Sequence, residues 1–477
     1  MADAFTHQHQ YSIRKNDFIL MIYEDESPVF TGQIQDIPVQ HCPKEPSGLK
    51  LTFIGEHQHN QIVISAARIN SKENISESIR KTVFQAMNEA KKYECARVVI
   101  PVHRKYHNFA RDIQAAAVLG GYVYDKYLHK KESQVPVTVI SSEKLNAAQL
   151  KQDRVLWEWT LFARTILNES SSKRKPEHVA ASFIRAGKKA GVKTTFWNMK
   201  ELKKQKCGGI IAVGSGSDAP PCMVIGEYRP KKAKTHLALV GKGVTFDTGG
   251  YCLKPADAQT GMKLDMSGAA VVWAVICAAA EQKLPIRITA VCPLVENCIS
   301  GHAMHVGDIL EMRSGKTVEV VNTDAEGRLI LADALDYAAQ QKPDAIVDAA
   351  TLTGACLVAL GEDIAGVLSS DKHLEQQIIK AGEMACEQIW ALPLHKSYDE
   401  QLKSGIADMK NCGSRYGGTI TSALFLKRFV PDSIPWAHLD IAGPAMKEGI
   451  GGWMGNGAKA FGTETLYRLA ELMLKQK

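Results

Sequence analysis

VNTDAEGRLIL, residues 321–331, sets Asp324, Glu326 and Arg328 at alternating positions of one short turn. The run before it, KTVEVV (316–321), reads as a strand. The apolar run after it reads as a helix. Strand, charged turn and helix in that order suggest an open α/β sheet, whose sites form at the carboxyl ends of its strands.

The same alternation extends outward. In the second half, GGIIAVG (208–214), HLALVG (236–241), IRITAVCPL (286–294), TVEVVN (317–322), AIVDAA (345–350) and WAHLDIAG (436–443) are strand candidates. Several are continuous apolar runs, as expected of strands covered on both faces. In the first half, DFILMIYED (17–25), LKLTFIG (49–55), QIVISAA (61–67), ARVVIPV (96–102) and PVTVISS (136–142) read as strands. Helices are expected over 76–93, opened by Ser76 and Glu77, and over 108–127. A long helical pattern bridges the halves. The expected fold is two α/β domains joined by a helical connector: 1–145, connector 146–180, and a catalytic domain 181–477. The last should carry a mixed, largely parallel central sheet flanked by helices.

Composition fits this reading. The 477 residues are 45% hydrophobic and 23% charged, ordinary for a globular chain. A net charge of +7 is mild at this length, and the basic clusters at 173–175, 203–206 and 231–234 read as solvated faces. Eleven cysteines without a CxxC pair suggest reduced thiols and a cytoplasmic setting. The N-terminal stretch has no signal-type apolar core. AAVVWAVICAAA (269–280) is too short to span a bilayer and reads as a buried helix.

The acids of the opening turn have company in LVGKGVTFDTGGYCLKPADAQTGMKLDMSGAA (239–270), which supplies Lys242, Asp247, Lys254 and Asp265. Four carboxylates in one cleft would repel and resist ionising, and divalent cations would neutralise them. Each acid also has a plainer reading. Asp324 could cap the following helix, Glu326 could favour its dipole, and Asp265 could be a first-turn acid. Lys242 in GKG lacks P-loop spacing, and VGSGSDAPP (213–221) lacks a dinucleotide fingerprint.

NTDAEGRLIL, together with VGKGVTFDTGG, LKP, MKLDMSGAA, DAATLTGA (348–355) and WAHLDIAG, closely resembles the leucyl (cytosol) aminopeptidase family of metallopeptidases. The resemblance covers about 180–477 and continues weakly into the connector. It matches the N-terminal domain, macro-like in the family, only in general organisation. It implies a two-metal aminopeptidase removing the first residue of peptides. Asp247 and Glu326 would bridge two metals, Lys242 and Asp265 would complete the tighter site, and Asp324 the more exchangeable one. Lys254 and Arg328 match the catalytic positions that bind no metal. The implied metals are Mn or Zn, with Mg or Co as alternatives. A metal-bridging hydroxide would attack the scissile carbonyl, and a bicarbonate held by Arg328 with the amides around Ala325, Gly327 and Leu352 would shuttle the proton.

The family's pocket positions fall on Met262, Thr351, Gly354, Ala442 and Ala445, which implies a leucine-like first residue and broad tolerance. Asn322 would orient bound peptide. Met262 could equally be a core methionine and Asn322 a turn residue. Departures from the family pattern, at His305–Val306, at NESS (168–171) and at GNGAKAFGTETL (455–466), spare all seven metal and catalytic positions. Family members are homohexamers. DNA binding, which some bacterial relatives combine with peptidase activity, and a catalytically dead scaffold are the alternative readings. No membrane partner is expected.

Overall fold

The computed structural model of the chain describes residues 5–8, 17–23, 48–57, 60–68, 74–102, 109–130, 134–141, 146–446 and 452–475. Most of the N-terminal stretch, residues 24–25 of the first strand expectation and residue 142 of the last lie outside them. The chain divides into two compact units, Met1–Glu158 with Gly449–Asn456, and Trp159–Glu448 with Gly457–Lys477.

In the first unit a six-stranded sheet runs in the order Phe5–Gln8, Val137–Ser141, Arg97–Val102, Asp17–Tyr23, Asn60–Arg68, Gly48–His57. All its pairings are parallel except the last. The helix Ile75–Lys92 buries Ile79, Val83 and Met87 against Phe18, Leu20 and Val98. Its cap is Asn74, whose side chain accepts from Glu77 N, rather than Ser76. The helix expected over 108–127 is shorter. It runs Ala110–Ala115, continues as a π turn over Ala116–Gly120 and stops, because the Gly120–Gly121 pair favours an ending.

The second unit is built on a nine-stranded mixed sheet. Its path is Gln388–Ala391, Ile364–Ser369, Trp436–Asp440, Ala345–Ala350, His236–Gly241, Arg287–Asn297, Cys222–Tyr228, Lys193–Trp197, with Gly243–Asp247 paired to Arg287–Asn297. Its central pairings are parallel, and antiparallel pairs lie toward the edges. Val240, Val291, Ile346 and Trp436 pack against the helices Gly327–Gln340 and Gly418–Lys427. The helix Ser267–Glu281, buried from Ser267 through Ala280, packs on the same central strands. Covering helices explain why these strands read as continuous apolar runs.

Several expectations need correction. GGIIAVG is a helix, Gly208–Gly214, not a strand. A short apolar run has no decisive period, and here its glycines admit close backbone approach: a Cβ on Gly209 would sit 2.4 Å from the Leu329 carbonyl oxygen. The glycine-rich segment after it therefore follows a helix, which removes its likeness to a nucleotide loop. TVEVVN is a strand only over Thr317–Glu319, in a separate three-stranded sheet. WAHLDIAG leaves the sheet at Asp440 and becomes a helix at Ala442–Met446. The cluster at 173–175 is not simply a solvated face. Arg174 is buried and donates to the carbonyls of Ile166 and Leu167, while Lys175 pairs with buried Glu296 at 2.8 Å.

Candidate metal centre

The carboxyl ends of the central strands deliver the charged groups. Lys242 follows the strand His236–Gly241, and Asp247 closes Gly243–Asp247. Asp265 lies just before Ser267–Glu281, and Asp324 and Glu326 lie before Gly327–Gln340. Carboxylate oxygens of Asp247, Asp265 and Glu326 lie within 4.8 Å of one another, and all three residues are buried. Lys242 Nζ sits 2.8 Å from Asp265 Oδ1, 2.9 Å from Glu326 Oε1 and 2.9 Å from the Thr351 carbonyl. Lys254 Nζ lies 3.0 Å from Asp247 Oδ2 and donates to Asp324 Oδ1.

The plainer readings of the acids describe only part of this arrangement, since Glu326 at the N-cap stays placed to favour its helix's dipole. Glu326 is the N-cap residue of its helix but makes no side-chain capping bond. Asp324 reaches Lys254 instead of a helix N–H, and Asp265 accepts from Lys242 and from Thr351 Oγ1 at 2.8 Å.

Electrostatics argue for a cation. Four carboxylates against two ammonium groups leave a formal excess of two negative charges. Burial pushes Asp265, Asp324 and Glu326 above the usual carboxylate range, and Asp247 adds repulsion to each. Burial alone would lower Lys242, but Asp265, Glu326 and Asp247 outweigh it and raise the amine. Asp265 Oδ2 and Glu326 Oε1 are buried and meet only the Lys242 ammonium, at 2.8 and 2.9 Å, so one amine serves both carboxylates. Buried oxygens in that condition fit a divalent cation with oxygen ligands.

Further residues hold this frame, and the sequence reading had given them no role. Asn297 Nδ2 donates to Asp247 Oδ1 at 2.8 Å and to the Thr323 carbonyl at 3.1 Å, joining two acid-bearing segments. Asn411 clamps the opening turn: its side chain accepts from Val321 N and donates to the Asn322 carbonyl, and its own carbonyl accepts from Arg328 Nη1 at 2.8 Å. Arg328 is buried, and its Nε has no partner. An asparagine in a loop carries no sequence signal beyond turn preference. Gly327 packs against Lys242: a Cβ there would lie 2.5 Å from Lys242 Cε, so the lysine side chain would have to shift.

The pocket positions are partly gathered. The turn Met262–Leu264 and the helix Gly354–Leu360 both contact Ala442–Met446, which carries buried Ala442 and Ala445. A side chain on Gly354 would point into open space. Thr351, expected at a pocket position, holds Asp265 through its hydroxyl. Asn322 Oδ1 accepts from Asp324 N, as a turn asparagine does. Of the amides expected near an anion, Leu352 N donates to Asp440 Oδ1 and Ala325 N to the Asn322 carbonyl. A separate cleft of about 450 Å³, lined by Lys316, Lys427, Arg428 and Pro431 among others, contains none of these residues. Its cations Lys427 and Arg428 already pair with Asp432 and Asp399.

Comparison with known proteins points the same way. Residues 161–467 match the catalytic domain of the cytosol aminopeptidase family. A probable cytosol aminopeptidase of Chlorobaculum tepidum is 50% identical over 309 residues, covering 64% of this chain and 61% of the relative's length. One from Clostridium perfringens is 38% identical over 414 residues, 84% of each. Among solved structures, a tomato leucine aminopeptidase mutant superposes with a TM-score of 0.85 at 27% identity, covering 98% of this chain and 96% of that one. The bottromycin maturation enzyme BotP in complex with Mn gives 0.84 at 30% identity, covering 96% and 99%.

Proposed function

Because the chain belongs to the cytosol aminopeptidase family, we propose that it is a metal-dependent aminopeptidase that hydrolyses the first peptide bond of peptides with a free amino terminus. The convergence of buried Asp247, Asp265 and Glu326, whose oxygens lie within 4.8 Å of one another around Lys242, carries this reading. Lys242, Asp247, Asp265, Asp324 and Glu326 would hold two divalent cations. Bound there, the cations would activate water and polarise the scissile carbonyl. Mn is the first candidate, supported by the Mn complex of a structural relative. Zn, Mg and Co share the ligand chemistry.

The chain's own groups divide the remaining work. Burial would lower the Lys254 amine, but Asp247, Glu326 and Asp324 raise it, so it stays an ammonium. A fixed cation in a site mostly closed to water favours the negative charge that develops on the carbonyl oxygen during attack. Arg328 anchors an anion through its unpartnered Nε, and bicarbonate is the anion we assign there. Asn411 fixes the orientation of the guanidinium. Met262, Thr351, Gly354, Ala442 and Ala445 would accept a leucine-like side chain, with Asn322 orienting the peptide. We extend the reading to a cytoplasmic homohexamer, supported by the cytosol aminopeptidase names of the relatives and by the family resemblance.

Equilibrium dialysis of the chelated protein against Mn tests the metal centre. Two ions per chain are expected, and Glu326→Gln should retain fewer. No uptake above that of a carboxylate-free control would refute the centre.

A further inference from the structure

A buried polar chain runs behind the centre. On neighbouring parallel strands, Asp348 pairs in register with His438, and Ala350 with Asp440. Asp348, His438 and Asp440 are all fully buried. Asp348 Oδ2 accepts from Trp436 Nε1 at 2.8 Å, and Asp348 Oδ1 lies 2.6 Å from His438 Nδ1. His438 Nε2 is buried without a hydrogen-bond partner and faces Asp440 Oδ2 at 3.9 Å, an ion-pair separation. Asp440 then accepts twice from the 351–353 turn and once from its own segment. Oδ1 accepts from Leu352 N and Ala442 N, both at 3.2 Å, and Oδ2 accepts from Thr353 Oγ1 at 2.7 Å. Thr351, next in that turn, gives its carbonyl to Lys242 and its hydroxyl to Asp265.

We propose that His438 is a positioning residue for the hydrolytic site, its ring bridging Asp348 and Asp440 so that Asp440 pins the 351–353 turn against the Lys242–Asp265 pair. The inference rests on the aminopeptidase reading for its kinetic consequence but not for its structural one. Two buried carboxylates side by side would repel without a cation between them, and the imidazolium supplies it. Burial alone would lower the ring's pKa, but Asp348 and Asp440 raise it to about 9. The groups facing it are few: Asp348 on the parallel strand, Asp440 on its own strand, and apolar Leu368 opposite on the antiparallel strand. Beyond Asp440 lie Arg328 and the paired Thr353 and Thr419 hydroxyls. The charge is therefore kept at neutral pH and lost as pH rises through about 9.

The test is amide hydrogen exchange on full-length His438→Asn, which keeps a donor for Asp348 but carries no charge, and on Asp440→Asn. Residues 351–354 should exchange about tenfold or more faster in both variants, with the Gly327–Gln340 helix unchanged. Wild-type protection at 351–354 in either variant overturns the proposal, so failure of one variant to fold leaves the other decisive. With leucine-p-nitroanilide, kcat should fall more than KM changes, and the double variant should be no slower than Asp440→Asn alone. Wild-type kcat is expected to decline above about pH 9, and that decline should vanish in His438→Asn. Additive losses or an unchanged alkaline limb would overturn it. A wild-type protein without turnover would refute the aminopeptidase reading while the exchange result still decides this one.

Discussion

At the scale of the residue, the candidate site sets two ammonium groups among four acids. Lys254 contacts Asp247 and Asp324 but fills no core position, so Lys254→Ala should leave folding and Mn uptake nearly intact. Turnover should drop about 10²–10³-fold, the usual loss when a donor facing developing charge is removed. Unchanged kcat in a folded variant would remove Lys254 from the chemistry. The acids and lysines were legible in the sequence because charges at the ends of apolar strands are conspicuous. Asn297, Asn411, His438 and Asp440 were not. Their roles depend on partners between 2 and 90 residues away, and only the fold supplies those partners. Arg174 was misread for the same reason: a basic run resembles a solvated face until helix ends and loops close over it.

At the scale of the element, the strand–turn–helix unit at 316–340 brings Asp324 and Glu326 to the candidate site with its helix starting against Lys242. Gly327→Ala would drive a methyl into Lys242 Cε at 2.5 Å and Nζ at 2.8 Å. That overpacking should cost about 1–3 kcal/mol and weaken Mn affinity, read by thermal unfolding and by dialysis. Wild-type affinity in that variant would mean the lysine is not a ligand. The central strands His236–Gly241, Arg287–Asn297, Ala345–Ala350 and Trp436–Asp440 were legible from their apolar runs, whereas the buried strands Cys222–Tyr228 and Ile364–Ser369 and the helix Gly208–Gly214 were not. Its apolar composition is equally that of a buried strand, and only its glycine contact with Leu329 decides between them. The edge strands Lys193–Trp197 and Gln388–Ala391 were missed because half-exposed, mixed sequences lack that signal.

At the scale of the whole molecule, pH links the parts. Lys242 holds its proton more tightly than a free lysine, so a cation taking its lone pair must displace that proton. Mn affinity should therefore rise from about pH 6 to pH 8.5 with proton release, measured by calorimetry in two buffers of different ionisation heat. His438 acts in the opposite sense. Its raised pKa contributes stability that is full below 6.5 and lost as pH rises through about 9, on the order of 3 kcal/mol. The unfolding temperature of the chelated protein should fall over that window, and less so in His438→Asn. The most direct measurement is release of p-nitroaniline from leucine-p-nitroanilide by chelated protein, before and after Mn, Zn, Mg or Co is restored, beside the N-acetylated substrate. The predicted result is release that needs a divalent cation and a free amino group. No release with any of the four metals from folded protein, or equal release from the blocked substrate, would contradict the aminopeptidase reading.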